Sequence, residues 1–317
     1  KQSAIWLGDG VPDGVYWVYI LDDSLLSSDD CVDEIILACD ELRLLHTISD
    51  NDNPSITDVA FSPDNLHVAY ANGSITIGII NDTTLSIFGY SDELTSTTST
   101  TLNLVDWYGH SSETTYTSGN PRVDTTYYLA VANNDTTDSA EDYSVSIYRV
   151  TYTVYDDTNK GSIISIADSP DVTANCPGHT IKDIAFSPNN DYLVVATEVK
   201  LHIYSVSIVD NTGGQCILAR KNVINTFTDS TTKIEWSSNS VYLAVLGANT
   251  GEVKTVKIYQ NPADSDDVHS TVKNDSALTS DISSISYNTL GHRLSALVDD
   301  TNDNYFVWNP LRETSDD

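Results

Sequence analysis

ITDVAFSPDNLHVAY, residues 56–70, returns 125 residues further on as IKDIAFSPNNDYLVV, residues 181–195. Self-similarity at this length marks a repeat protein, in which one supersecondary unit stacked on itself fixes the architecture. Each copy reads as a buried strand, a tight Ser-Pro-Asp/Asn-Asn turn and a second apolar strand. Working outward from the two copies, β-branched and aromatic runs recur in sets of four between polar turns, and no helical period interrupts them.

Six such sets can be counted. The first comprises Ala4 to Leu7, Val15 to Leu21, Glu34 to Cys39 and Leu42 to Ile48. The second begins at Ile56 and continues through Leu66 to Ala71, Ile75 to Ile80 and Leu85 to Tyr90. The third, inflated by polar inserts expected to be irregular, uses Leu102 to Trp107, Tyr127 to Ala132, Tyr143 to Val154 and Ser162 to Ala167. The fourth runs Ile181 to Phe186, Tyr192 to Ala196, Leu201 to Ile208 and Cys216 to Ile224; the fifth Lys233 to Trp236, Tyr242 to Leu246, Val253 to Tyr259 and Val268 to Val272. The sixth has Ile282 to Tyr287, Leu294 to Val298 and Tyr305 to Trp308, one strand short. The expectation is an all-β chain forming a single β-propeller over residues 1–317, with six blades near 1–50, 51–92, 93–170, 171–226, 227–275 and 276–317, and seven as the alternative count.

The third strands VSIYRV, LHIYSV, VKIYQN and YFVWNP place an aromatic at one position in four blades, where a Trp-Asp repeat has its Trp. On these residues the chain resembles WD-repeat and WD-repeat-like propellers, and its FSPD/N phrase is similar to the TolB type. It departs from the strict pattern: Gly109-His110 and Gly291-His292 follow a first strand, and Trp308-Asn309 is the nearest approach to Trp-Asp. The hydrogen-bonded tetrad of the strict family is therefore not expected in most blades.

The sixth blade needs a fourth strand. Either Gln2 to Leu7 closes the ring as that outer strand, the habit of the family resembled, or a partner adds a strand to the edge formed by Tyr305, Phe306, Val307 and Trp308. The second arrangement is similar to the open propellers of vesicle-coat and nuclear-pore scaffolds.

Fifteen Lys and Arg stand against 46 Asp and Glu, a formal charge of −31 that repels phosphate backbones and anionic lipid surfaces. Nucleic acid and membrane insertion are not expected, and no apolar run reaches the roughly 18 residues that cross a bilayer. Asp outnumbers Glu about four to one and clusters between the apolar runs, as turn chemistry favours. The chain starts at Lys1 and contains no Met, which fits a processed chain or a segment of a longer one.

No metal-binding His pair, phosphate loop, nucleophile elbow or C-x-x-C is present, and His67 and His202 are taken to occupy equivalent repeat positions. Cofactors are not expected. Calcium has weak candidates in Asp50, Asp52, Asp299 and Asp303, although neither loop has the Gly and Glu of an EF-hand. Asn72, Asn81, Asn134 and Asn274 head sequons, no more than composition gives by chance, and the hydroxyl run holding Thr95, Thr97, Thr98 and Thr100 resembles an O-glycosylated segment. Cys31 and Cys39 would lie roughly 26 Å apart along one strand. Cys176 and Cys216, expected in irregular connections, form the better disulfide candidate; four buried thiols are the alternative.

The reading expected is a non-enzymatic structural or protein-binding module. It would be extracellular or at the cell surface, with protein partners or self-assembly through the open edge. An intracellular WD-repeat scaffold is the alternative, and an enzyme or ligand-binding propeller with a site at the channel mouth is the second.

Overall fold

The computed structural model describes residues 56–64, 66–71, 73–80, 102–117, 121–134, 143–155, 162–167, 170–176, 179–209, 215–272, 282–288 and 293–298. It also gives the backbone course of the strands at 3–6, 15–20, 43–49, 85–86 and 305–308. The first sheet is β1 (Ser3–Trp6), β2 (Val15–Ile20) and β3 (Arg43–Ser49). The second is β4 (Asp58–Phe61), β5 (His67–Ala71), β6 (Ile75–Ile80) and β7 (Leu85–Ser86). The third contains β8 (Leu102–Trp107), β9 (Ser112–Tyr116), β10 (Arg122–Asn134), β11 (Tyr143–Tyr155), β12 (Ser162–Ile166) and β13 (Val172–Asn175).

The fourth sheet is β14 (Ile181–Phe186), β15 (Tyr192–Thr197), β16 (Lys200–Val209) and β17 (Gln215–Asn225). The fifth is β18 (Ser230–Trp236), β19 (Tyr242–Ala248), β20 (Thr255–Gln260) and β21 (Val268–Val272), and the sixth is β22 (Ile282–Tyr287), β23 (Leu294–Val298) and β24 (Tyr305–Trp308). Every pairing is antiparallel between chain neighbours or near neighbours, as in the blades of a β-propeller.

The central strands are apolar without alternation because they are covered on both faces. Along β10, Tyr127, Leu129 and Val131 enter the core between the second and third sheets, while Tyr128, Ala130 and Ala132 enter the core between the third and fourth. On β15, Leu193 and Val195 face the third sheet's side and Val194 and Ala196 the fifth's. On β19, Leu243 and Val245 join the fourth sheet while Tyr242, Ala244 and Leu246 join the sixth.

The repeated turn has one hydrogen-bond plan. Ser187 Oγ donates to Asn189 Oδ1 (2.7 Å) and accepts from Tyr192 N (3.0 Å), and Ser237 repeats both bonds with Asn239 (2.7 Å) and Tyr242 (2.8 Å). The residue closing the turn is left-handed, at φ 65° for Asn190 and 59° for Ser240. Asn tolerates that conformation because its short side chain hydrogen-bonds locally. Turns of successive sheets are also tied together: Gly109 N donates to Asn190 Oδ1 (2.8 Å) and Asn189 N to Ser240 Oγ (2.9 Å).

Three expectations change. The inserts of the third blade are regular where described: β9 pairs with Arg122–Thr126 of a lengthened β10, and β13 lies along Ser144–Ile147 of β11. Ser3–Trp6 pairs with β2 in the first sheet, so this segment does not supply a fourth strand to the sixth. His67 and His202 are not equivalent, since one lies on the second strand of its sheet and the other on the third; aligning the turns matches His67 with Tyr192. Burial, with Lys200, Arg220 and His179 nearby, pushes His202 down to about 4, a neutral imidazole in the wall. Glu34 to Cys39 lies outside the described residues.

In the fifth sheet Gly247 is closely packed. A Cβ there would stand 2.3 Å from Phe227 Cδ2 and 2.4 Å from the Ser230 carbonyl oxygen. Because one of these atoms is backbone, Gly247→Ala is expected to destabilise the fold by about 2 kcal/mol, read as a lower urea midpoint with unchanged slope.

Candidate functional site

An inner strand of a sheet is a poor place for Asp, which favours turns. Yet Asp58, Asp106, Asp183 and Glu235 lie inside β4, β8, β14 and β18. Together with Lys233 they line one open cavity of about 390 Å³ bordered by those four strands.

Each carboxylate crosses to the next sheet. Asp58 accepts Val59 N with Oδ1 (2.9 Å) and Val105 N of β8 with Oδ2 (2.8 Å). Asp106 accepts Trp107 N (2.9 Å) and Phe186 N of β14 (2.7 Å). Asp183 accepts Ile184 N (2.9 Å) and Ile234 N of β18 (2.7 Å). Glu235 continues the series by accepting the Tyr287 backbone N–H of β22. Four consecutive junctions, from the second sheet to the sixth, are thus closed by a charge-capable acceptor on a backbone donor, a strong class of hydrogen bond.

Two levels alternate around the cavity. Counting back from the aromatic that ends each inner strand, Asp58 and Asp183 stand three places before Phe61 and Phe186, whereas Asp106 and Glu235 stand one place before Trp107 and Trp236. The upper and lower staples therefore repeat every two sheets. Lys233 takes the level of Asp58 and Asp183 on the fifth sheet, and its charge favours the ionised forms of Asp58, Asp183 and Glu235.

Burial dominates the acidities all the same. It pushes Asp106 up to about 8, against the Phe186 and Trp107 N–H donors and with the neighbouring Asp58 and Asp183 charges adding to the rise. It pushes Asp183 up to about 7, opposed by Lys233 and the Ile234 N–H. Asp58 and Glu235 are raised for the same first reason. All four are only partly buried, so proton exchange with solvent is not blocked.

The oxygens that a substrate or cation would need are engaged by backbone N–H groups, and the belt's evident work is to hold sheets together. Among the described residues no set of three or more His, Cys, Asp and Glu side chains has the geometry to hold a metal ion.

The candidates named from sequence fall elsewhere. Asp50, Asp52, Asp299, Asp303, Asn72, Asn81, Asn274, Thr95, Thr97, Thr98 and Thr100 lie outside the described residues, as do Cys31 and Cys39. Asn134 is corrected: its side chain is 4% exposed, Nδ2 donates to the Ile181 carbonyl (2.9 Å) and Oδ1 accepts Ile181 N (3.0 Å), so the amide that a glycan would need is buried and occupied. Cys176 and Cys216 are free thiols in one core layer, with Cys216 inside β17 rather than in a connection. Burial pushes them up to about 11 and about 12, which keeps them protonated and unreactive. Tyr305–Trp308 forms β24, and among the described residues it pairs with β23 alone.

Reading for catalytic motifs passed over the belt, because none of its members belongs to one. The signal available was an acidic residue inside an apolar inner strand, visible once the sheets are aligned on their terminal aromatics.

Residues 170–198 match the family model for the WD domain, G-beta repeat, a stretch that takes in β13, β14 and β15. No curated protein matches the chain. Among solved structures, the crystal structure of the Myceliophteria thermophila Cps50 (Swd1) beta-propeller domain aligns over 94% of this chain and 91% of that one, with 8% identity and a TM-score of 0.47.

The acidities give a pH dependence with a definite sign. Asp106 and Asp183 bind protons more tightly folded than unfolded, so their contribution to stability is complete below about pH 4 and is lost as pH rises through about 7 to 8. Melting temperature is expected to fall between pH 5 and pH 8.5. Asp106→Asn, which cannot ionise, is expected to shrink that fall while lowering stability at pH 5 by about 1 kcal/mol through a poorly satisfied N–H.

Proposed function

We propose that this β-propeller, with its WD-type repeat, is a non-catalytic protein-binding module that joins a partner by strand addition at β24. The observation carrying this reading is a contrast between sheet edges. Exposed edges recruit other strands unless they are short, bulged or charged. The outer strand of the second sheet is two residues long. In the fourth sheet Ile203 opposes Asn222 and Tyr204 opposes Arg220, which leaves Lys221 as a bulged, charged residue on β17. In the fifth, Ile258 opposes Ser270 and Tyr259 opposes Val268, so His269 bulges from β21.

Among the described residues, β24 has no bulge against β23 and no charged residue. Its four residues, Tyr-Phe-Val-Trp in sequence, pair with β23 in unbroken register from Leu294↔Trp308 to Leu297↔Tyr305. Such an edge favours an extended segment of a protein, a second copy of this chain included, bound through main-chain hydrogen bonds. The charge of −31 favours a partner surface of basic or neutral character.

We place the protein outside the cell or on its surface, a reading supported by the hydroxyl run around Thr95 to Thr101. Intact mass of the protein from its native source tests this: added glycan mass is expected, and a bare chain would favour an intracellular scaffold.

The edge is tested with Val307→Pro, which removes a strand donor. Light scattering over a concentration series, or titration with a captured partner, is expected to show association weakened by about tenfold or more. The monomer's melting temperature serves as the control. Unchanged association in a folded variant would remove strand addition at β24 from consideration.

A further inference from the structure

Strands β10 and β11, each 13 residues long, are longer than any other described strand. Past the part of β10 that enters the two cores, Arg122–Thr126 pair with β9 on one side and with Thr151–Tyr155 of β11 on the other. Every residue of β9 is exposed, so this extension adds little to the core. Surface elaborations of that kind commonly carry binding sites.

The end of the extension holds a cavity of about 500 Å³, a volume suited to a small molecule. Register places Arg122 opposite both Tyr116 and Tyr155, so these three form one row across β9, β10 and β11. The next row is Thr115, Val123 and Val154, and both rows line the cavity.

Arg122 is held on two sides. Its Nε lies 3.2 Å from Asp124 Oδ1 and 3.3 Å from Oδ2, and its Cζ stands 4.4 Å from the centre of the Tyr116 ring. Asp124 is fixed in turn, since its Oδ1 accepts the Thr153 hydroxyl at 2.9 Å. Fastening through Nε orients the guanidinium, whose terminal nitrogens carry the remaining N–H donors, and the side chain stays 35% exposed.

The lining inverts the charge of the chain. Acids outnumber Lys and Arg by 46 to 15, yet among the described residues this cavity is lined by one cation and by no Asp or Glu. Tyr116 and Val154 are 43% and 40% exposed, apolar surface that the fold leaves in water. One oriented guanidinium beside such surface fits a monoanion with an apolar body. A planar carboxylate matches the fork through two parallel hydrogen bonds, whereas a phosphate dianion would call for more cations than the one present.

We propose that this cavity binds a small organic carboxylate, its anion on Arg122 and its apolar body on Tyr116 and Val154. The site shares no residue with β24 or with the cavity lined by Asp58 and Asp106, so it stands or falls apart from strand addition.

Calorimetric titration of the full chain with benzoate at low salt tests the site. Saturable one-to-one binding is expected, with acetate, which lacks the apolar body, and benzamide, which lacks the charge, each weaker by about tenfold or more. Inorganic phosphate is expected not to displace benzoate. Arg122→Gln is expected to weaken benzoate by about tenfold or more, and Arg122→Lys by a smaller factor, because an ammonium keeps the charge and loses the fork. Tyr116→Ala, which leaves the guanidinium in place, is expected to weaken benzoate while acetate stays unchanged. Arg220→Gln, at an exposed arginine of β17, is the control and is expected to change nothing.

The melting temperature of each variant shows that it is folded. Absence of saturable benzoate binding would overturn the assignment, as would acetate or benzamide binding as tightly as benzoate, or displacement of benzoate by phosphate. Equal benzoate affinity in folded Arg122→Gln and Arg220→Gln would overturn it as well.

Discussion

Every central strand from the second sheet to the fifth has to bury both of its faces, and the rest of the molecule follows from that constraint. Tyr127 through Ala132 can be apolar at six consecutive positions only because odd and even residues enter different cores. A sheet with two buried faces needs a neighbour on each side, and the neighbours need neighbours in turn. Stacking stops when a sheet has only one such face to offer or when the ring closes.

Apolar layers of this kind do not fix how far one sheet slides along the next, since hydrophobic burial is non-directional. The inner-strand carboxylates do fix it. A backbone N–H of the next sheet held at 2.7 or 2.8 Å by Asp58, Asp106 or Asp183 sets the offset residue by residue. That directionality has an electrostatic cost, visible in the upward shifts of Asp106 and Asp183, which Lys233 relieves only in part and only at Asp183. The belt is a specificity device whose members would be more comfortable in water.

The two-sheet alternation also explains why the repeated phrase lies 125 residues from its copy and not one sheet away. Residues 56–70 and 181–195 belong to the second and fourth sheets, which share the Asp58 and Asp183 level. The intervening third sheet carries its acid at Asp106, in VDWYG, and so does not read as a third copy. Strand positions in the fourth to sixth sheets were legible within three residues, because β-branched runs bounded by Ser-Pro and Asn-rich turns leave little choice. The hairpin extension of β9 and β10 was not, since Ser112–Tyr116 is exposed along its whole length and has no hydrophobic period to reveal it.

The sequence by itself determined an all-β repeat and its turns, both of which are local patterns of apolar period and turn chemistry. Only the tertiary structure decided that Ser3–Trp6 pairs within the first sheet, that the Asn134 amide is closed on Ile181, and that four acids on four strands line one cavity. The reason is range. The hydrogen bond from Phe186 N to Asp106 spans 80 residues of chain, and nothing in the composition around either partner records the other.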